Sequence, residues 1–204
     1  MSDLPAGTAR RALLIGIDAY PKIRQLSGCV NDVRLMRTIL VDNFGFVPDM
    51  LTVLENGAAT RAAILAAFDA LIAATGRDDI VVIHYAGHGS QMTDLEGDEP
   101  SGYDSTIMPF DTEGWQGDNR DITDDEIGLK LDALGAKTSY ITLIFDSCHS
   151  GTITRDAVGA NGRSIQADTR PASELKRQPV AGVARATTRS AGPSGWMPDR
   201  KSVV

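Results

Sequence analysis

Two residues of this chain could carry covalent chemistry together. Cys148 lies in the segment DSCHSG (146–151) and His88 in the segment HYAGHGSQ (84–91). A cysteine attacks as its thiolate, and a neighbouring imidazole can take the thiol proton and pass it to a leaving amine. Such a reaction also needs backbone donors where a tetrahedral oxyanion develops. Gly87 and Gly89 flank His88, which permits a tight turn and close approach of a substrate backbone. The amides of Cys148 and Gly89 are the candidate oxyanion donors. Taken singly, a cysteine is more often a buried core residue than a nucleophile. Here both residues sit in Gly/Ser-rich loops directly after apolar runs, a placement that suits catalysis.

The other two histidines fit a site less well. His84 precedes His88 by four residues, a spacing that converges on a helix, but the β-branched run before it reads as a strand, where the two cannot meet. His149 follows Cys148 and is read as orienting the loop. Neither CxxC nor HExxH spacing is present to support zinc.

The elements that must hold these loops follow from hydrophobic patterning. Apolar runs at residues 11–17, 50–54, 80–85 and 139–145 read as strands, the first buried on both faces. Val33, Met36, Ile39 and Leu40 give an amphipathic helix from Cys29 to Leu40. Thr60 caps an Ala-rich helix ending before Gly76, and a short helix spans Asp124 to Leu134 in an otherwise long polar stretch. Strands alternating with helices predict an α/β fold, a mostly parallel sheet with helices on both faces. Ligands gather beyond the carboxyl ends of such strands. The loops carrying His88 and Cys148 leave those ends of the third and fourth strands.

Composition narrows the function classes. The chain has 204 residues, 42% hydrophobic and 23% charged, with a net charge of −7. That balance disfavours a nucleic-acid binder relying on a basic surface. No apolar run approaches the roughly 20 residues of a membrane span, so no membrane partner is expected. Cys29 and Cys148 show no disulfide framework, which suits a reducing, cytoplasmic setting. A nucleotide-binding α/β domain is disfavoured because the first strand is followed by neither GxGxxG nor a Walker loop.

Charge is uneven along the chain. Residues 155–204 carry nine basic against four acidic residues, whereas residues 1–154 carry eleven against twenty-three. The division predicts a folded domain over 1–154 and a flexible basic linker or tail over 155–204, acting as a linker, an intramolecular ligand or a plain disordered segment. From Asp94 to Glu126 there are twelve acids and one base, Arg120. Crowded carboxylates repel unless solvated, paired or bound to cations, and calcium takes six to eight oxygens. The glycine and final glutamate of DLEGDEPSG (94–102) are misplaced for an EF-hand, and a solvated acidic loop remains the alternative.

These motifs resemble the caspase-like cysteine peptidases, and within them the metacaspases and orthocaspases. The resemblance rests on HYAGHGSQ, on DSCHSG, on DLEGDEPSGYDSTIMPFD (94–111), on LLIGIDAY (13–20) and on LSGCVNDVRLM (26–36), from about Ala12 to Gly151. It implies a caspase-like three-layer sandwich and a cysteine endopeptidase cutting after Arg or Lys, with protein or peptide substrates and no organic cofactor. The implied Cys148–His88 dyad is served by a specificity pocket of Asp32, Asp146, Cys29 and Ala86. A basic side chain entering such a pocket needs carboxylates, because an unpaired buried charge is costly. For Asp32, the plain alternative is a first-turn charge favoured by the helix dipole. The resemblance also implies activating Ca2+ held by Asp104, Asp124 and Asp125, with a further acid after the nucleophile loop, where Arg155 and then Asp156 stand.

Relatives usually carry a small subunit adding two strands. Here the chain ends in DRKSVV, which reads as the opening of another strand cut short, so the small-subunit strands are expected to be missing: the chain is a fragment, takes a small subunit in trans, or lacks one. Arg163, Arg170, Lys176, Arg177, Arg185 and Arg189 in the basic segment are candidate self-cleavage sites. The alternative function is a catalytically inactive caspase-like scaffold or a calcium-binding interaction module.

Overall fold

The computed structural model describes residues 7–114, 117–147, 163, 165–175 and 177. Its main sheet contains β1 (Arg10–Gly16), β2 (Leu51–Glu55), β3 (Ile80–Ala86) and β7 (Tyr140–Asp146), in the order β2-β1-β3-β7, all parallel. Three helices cover it: α1 (Cys29–Phe44), α2 (Arg61–Ala74) and α3 (Asp124–Gly135). Side chains alternate across the sheet as the pleat requires. Leu13, Ile15, Val81, Ile83 and Tyr85 join α2 and α3 in one core. Ala12, Leu14, Val82 and Ala86 face α1 in the other. The result is the expected three-layer α/β arrangement. None of the described helices is long and apolar enough to cross a membrane.

Local chemistry explains why α1 starts where it does. Gly28 adopts φ 105°, and the carboxylate of Asp18 accepts from the amides of Cys29 (2.9 Å) and Val30 (3.1 Å). A carboxylate is well suited to those orphan donors at the positive end of the helix dipole. The helix then lies so close to β1 that a Cβ on Gly16 would fall 2.8 Å from Val33 Cγ2 and 2.9 Å from the Cys29 carbonyl. Thr60 caps α2 as expected, and Thr123 and Glu126 form a capping box on α3.

The polar stretch between β3 and α3 is more ordered than its composition suggests. It forms a second sheet, β4 (Gly89–Thr93), β5 (Tyr103–Ile107) and β6 (Ile122–Thr123), antiparallel in that order. These strands escape the sequence reading because their inward positions include Ser90, Asp104, Thr106 and Thr123 beside few apolar residues. The search for apolar runs has no purchase on them. The basic segment, read from sequence as a linker, an intramolecular ligand or a disordered tail, is described only in part. From Ile165 to Arg170 it runs along β4, with Asp168 bridging Met92 in parallel. Main-chain hydrogen bonds, which a polar composition does not forbid, hold it there.

Candidate active site

The strand order reverses between β1 and β3, and the carboxyl ends of β1, β3 and β7 place Gly16, Ala86 and Asp146 side by side. His88 follows two residues after β3. A Cβ on Gly87 would lie 2.6 Å from Tyr85 Oη and 2.7 Å from Tyr20 Oη, so only glycine fits this turn. Those two phenols fix the His88 backbone. The His88 amide donates to Tyr20 Oη (3.0 Å), and its carbonyl lies 2.6 Å from Tyr85 Oη. The Tyr20 ring stacks obliquely on the imidazole at 4.9 Å.

The imidazole itself is completely buried. Its Nε2 lies 2.7 Å from the carbonyl of Arg24, which can only accept, so Nε2 carries the proton. Nδ1 then holds the lone pair, and it has no hydrogen-bond partner among the described residues. Burial lowers the pKa of His88, against the opposing influence of the Arg24 and Arg163 backbones, and keeps the ring neutral at pH 7. A neutral ring with its lone pair fixed on one nitrogen is what a general base requires. The Arg24 carbonyl was not identified from sequence, since a backbone acceptor leaves no residue-type signal.

Cys148, the expected nucleophile and second oxyanion donor, lies outside the described residues, as do His149, Arg155, Asp156, Lys176, Arg185 and Arg189. The described chain reaches Ser147, immediately past β7.

Asp32, from the first turn of α1, and Asp146, at the end of β7, converge on one guanidinium. Arg163 Nη2 lies 2.6 Å from Asp32 Oδ2, while Nη1 pairs with the Asp146 carboxylate and donates to the Asp146 carbonyl at 3.2 Å. The Asp32 and Asp146 side chains retain 41% and 54% of their exposure. Cys29 and Ala86 are fully buried in the core between α1 and the sheet. Burial, opposed by Arg163, pushes the Cys29 thiol up to about 12, so it is no nucleophile. His84 also faces this side; burial depresses its pKa, and the charges of Asp146 and Asp32 oppose the shift. The Arg163 carbonyl accepts from the Gly89 amide at 2.9 Å, and the Ile165 amide returns a bond to the Gly89 carbonyl at 3.0 Å.

The acids of the second sheet form a separate group. Asp104 is 1% exposed, and neither of its carboxylate oxygens has a hydrogen-bond partner among the described residues. Oxygens of Asp94, Glu96 and Asp104 lie within 4.8 Å of one another. Burial first, then the charges of Asp124, Asp94, Asp125 and Glu96, push Asp104 up to about 8. Burial with Asp125 and Glu99 raises Asp124 to about 7, and burial with Asp98 and Glu96 raises Asp125 to about 6. An orphaned buried carboxylate among all-oxygen neighbours fits a hard divalent cation. Asp94 and Glu96 were not singled out from sequence, because twelve acids in one stretch give no rank among themselves.

Comparison with known proteins decides the family. A family model described as metacaspase, peptidase C14 domain, matches residues 10–156. The chain belongs to the metacaspase family. It is 40% identical over 149 residues to Metacaspase-1A of Aspergillus niger, covering 70% of this chain and 36% of that protein. It is 39% identical over 149 residues to Metacaspase-1 of Emericella nidulans, with the same coverage. This metacaspase chain therefore spans little more than a third of those relatives. Among solved structures, protein GSU0716 of Geobacter sulfurreducens matches with a TM-score of 0.56 and 31% identity, over 71% of this chain and 52% of that one.

Proposed function

We propose that this chain is the catalytic part of a cysteine endopeptidase that cuts after Arg or Lys and processes itself. The observation that carries this reading is the meeting of Asp32 and Asp146 on one guanidinium whose own carbonyl is bonded to the Gly89 amide. In this reading Asp32 and Asp146 receive the basic side chain of the substrate, above a floor of Cys29 and Ala86. His88 Nδ1 takes the proton of Cys148, whose thiolate adds to the substrate carbonyl. The amides of Gly89 and Cys148 receive the oxyanion, and His88 returns the proton to the leaving amine. The substrate class follows from charge: two carboxylates favour a cation and repel an acidic residue.

Calcium would be held by Asp104 with Asp124 and Asp125, to which Asp94 and Glu96 are added here. Its charge would relieve repulsion among these acids and stiffen the sheet that begins at the oxyanion donor Gly89. A small subunit supplied in trans would pair with β7, the edge of the sheet among the described residues.

The test is hydrolysis of matched fluorogenic peptides ending in Arg or Asp, with and without calcium. Turnover of the Arg peptide alone is expected, falling at least about 1,000-fold in Cys148→Ala. Calcium-dependent stabilisation without turnover would favour the calcium-binding interaction module instead.

A further inference from the structure

The loop between β1 and α1, residues 17–28, brings two groups to the His88 imidazole: the Arg24 carbonyl at Nε2 and the ring of Tyr20. We infer that Tyr20 is a positioning residue: its hydroxyl fixes the His88 main chain, and its ring face stabilises the imidazolium that forms when Nδ1 takes a proton. This rests on the protease reading above, in which His88 is the base, and names a further residue on which that base depends.

The loop is tied down around this ring. The Asn56 side-chain oxygen accepts from the amides of Asp18 (2.9 Å) and Ala19 (3.0 Å). The Asp18 carbonyl in turn accepts from those of Tyr20 (3.1 Å) and Leu26 (2.9 Å). The Tyr20 hydroxyl donates to the Met108 carbonyl and accepts from the His88 amide, both at 3.0 Å. Tyr85 donates to the His88 carbonyl at 2.6 Å, and the Met108 amide donates there as well at 3.1 Å. Both phenols are buried, so their hydrogen bonds are completed inside the protein. Burial also raises both well above their ordinary pKa, and neither exchanges a proton near pH 7. Tyr20 therefore serves His88 as an acceptor and as a ring, and not as an acid or a base.

A proton on Nδ1 puts a positive charge where few groups welcome it. The partner of Nε2 is a neutral carbonyl, and the charges acting most strongly on the ring, those of Arg24 and Arg163, both oppose protonation. Tyr85 and Tyr20 stay neutral. The negative face of an aromatic ring attracts a cation within about 6 Å of its centroid, more strongly where water is excluded. The Tyr20 centroid lies 4.9 Å from that of His88, with the planes inclined at 45°. The attraction is weak for a neutral imidazole. It grows as the proton moves from the thiol to Nδ1 and leaves its electron pair on sulfur, so it favours the charged stage over the resting one. A carboxylate in the same place would hold the ring charged throughout and take away its lone pair. An aromatic face lowers the cost of the charge and leaves the resting base neutral.

Two measurements on the full chain test this. Nuclear magnetic resonance of nitrogen-15-labelled histidines, in Cys148→Ala to remove the thiol titration, reads the His88 pKa directly. Tyr20→Leu should lower it by roughly 0.5–1 pH unit, and Tyr20→Phe, which keeps the ring, by less than about half of that. A merely structural role predicts the opposite sign, because a loosened and wetter imidazole returns toward 6.5. An unchanged or raised pKa in folded Tyr20→Leu overturns the inference. Progressively fluorinated phenylalanines at position 20 keep the ring shape and weaken its negative face; they should lower the His88 pKa stepwise, and the absence of a trend overturns the inference. In active chain with calcium and an Arg peptide, Tyr20→Leu should reduce kcat about 3- to 10-fold with KM nearly unchanged. The acid limb of its kcat profile should move to lower pH, and Tyr20→Phe should retain most of kcat. A loss confined to KM, or equal losses of kcat in the two variants, overturns the inference while the protease stands. No turnover by the parent overturns the protease reading, whereas the titration still decides whether the ring holds the charge.

Discussion

Two groups of carboxylates in this molecule meet their charge in opposite ways. At the ends of α1 and β7, Asp32 and Asp146 are half exposed and share one guanidinium. In the second sheet, Asp104 is buried and its oxygens lack a hydrogen-bond partner among the described residues, with four further acids raising its pKa. The first group is complementary to a long, flat organic cation with fixed hydrogen-bond directions. The second has no such geometry and suits a small ion that takes oxygens from several directions. Residue type is the same in both. Burial and the spacing of the oxygens separate the proposed specificity pocket from the proposed cation site.

The largest effect should come from emptying the pocket of charge. Replacing Asp32 and Asp146 together by Asn should lower kcat/KM for an Arg peptide about 100-fold, since the substrate guanidinium loses both partners. The stabilisation by calcium should survive this change. If both responses fall together, the two acid groups are not separable.

A smaller effect is expected at Asp104. Calcium at 100 times its Kd adds about 2.7 kcal/mol, which corresponds to a rise in Tm of roughly 5–10 °C for a chain of this size. Asp104→Asn should abolish most of that rise and increase the Tm of the calcium-free protein. The sign follows from linkage. The folded pKa of Asp104 is raised from 3.8 to about 8, so the folded state holds a proton that the unfolded chain has lost. The contribution of Asp104 to calcium-free stability is therefore full below about pH 4 and declines until about pH 8. Thermal unfolding across that range should show this slope in the parent and a flatter one in Asp104→Asn.

Salt should give the smallest effect. Asp32 and Asp146 keep 41% and 54% of their side-chain exposure, so ions screen their attraction for a substrate. Raising ionic strength from about 0.05 to 0.5 M should increase KM for the Arg peptide by roughly two- to fivefold. The pH slope assigned to Asp104 should keep its sign in both salts. A KM indifferent to salt would argue against recognition by charge.

Much of the fold was legible because it rests on short-range pattern. The apolar runs of β1, β2, β3 and β7 and the periodicity of α1 locate those elements to within a few residues, and Thr60 announces the start of α2. The second sheet was not legible, since its buried positions include the polar residues Ser90, Asp104 and Thr106, and the burial of such groups depends on surroundings that lie far away in the chain. Thr106, for example, donates to Asp121 at 3.1 Å. The same limit applies to the segment along β4. A polar, basic composition says nothing about whether main-chain groups will find a strand edge.

The sequence by itself determined the chemistry on offer: a thiol and an imidazole, each just past an apolar run that reads as a strand. Residue type and nearness to a strand end suffice for that. Only the tertiary structure decided which nitrogen of His88 is free, because that depends on the Arg24 carbonyl 64 residues away in the chain. Only it brought Asp32 and Asp146 together and set Arg163 between them. The contact of Asp32 with Arg163 joins residues 131 positions apart, where a side chain's partner is set by the path of the whole backbone and no local pattern records it.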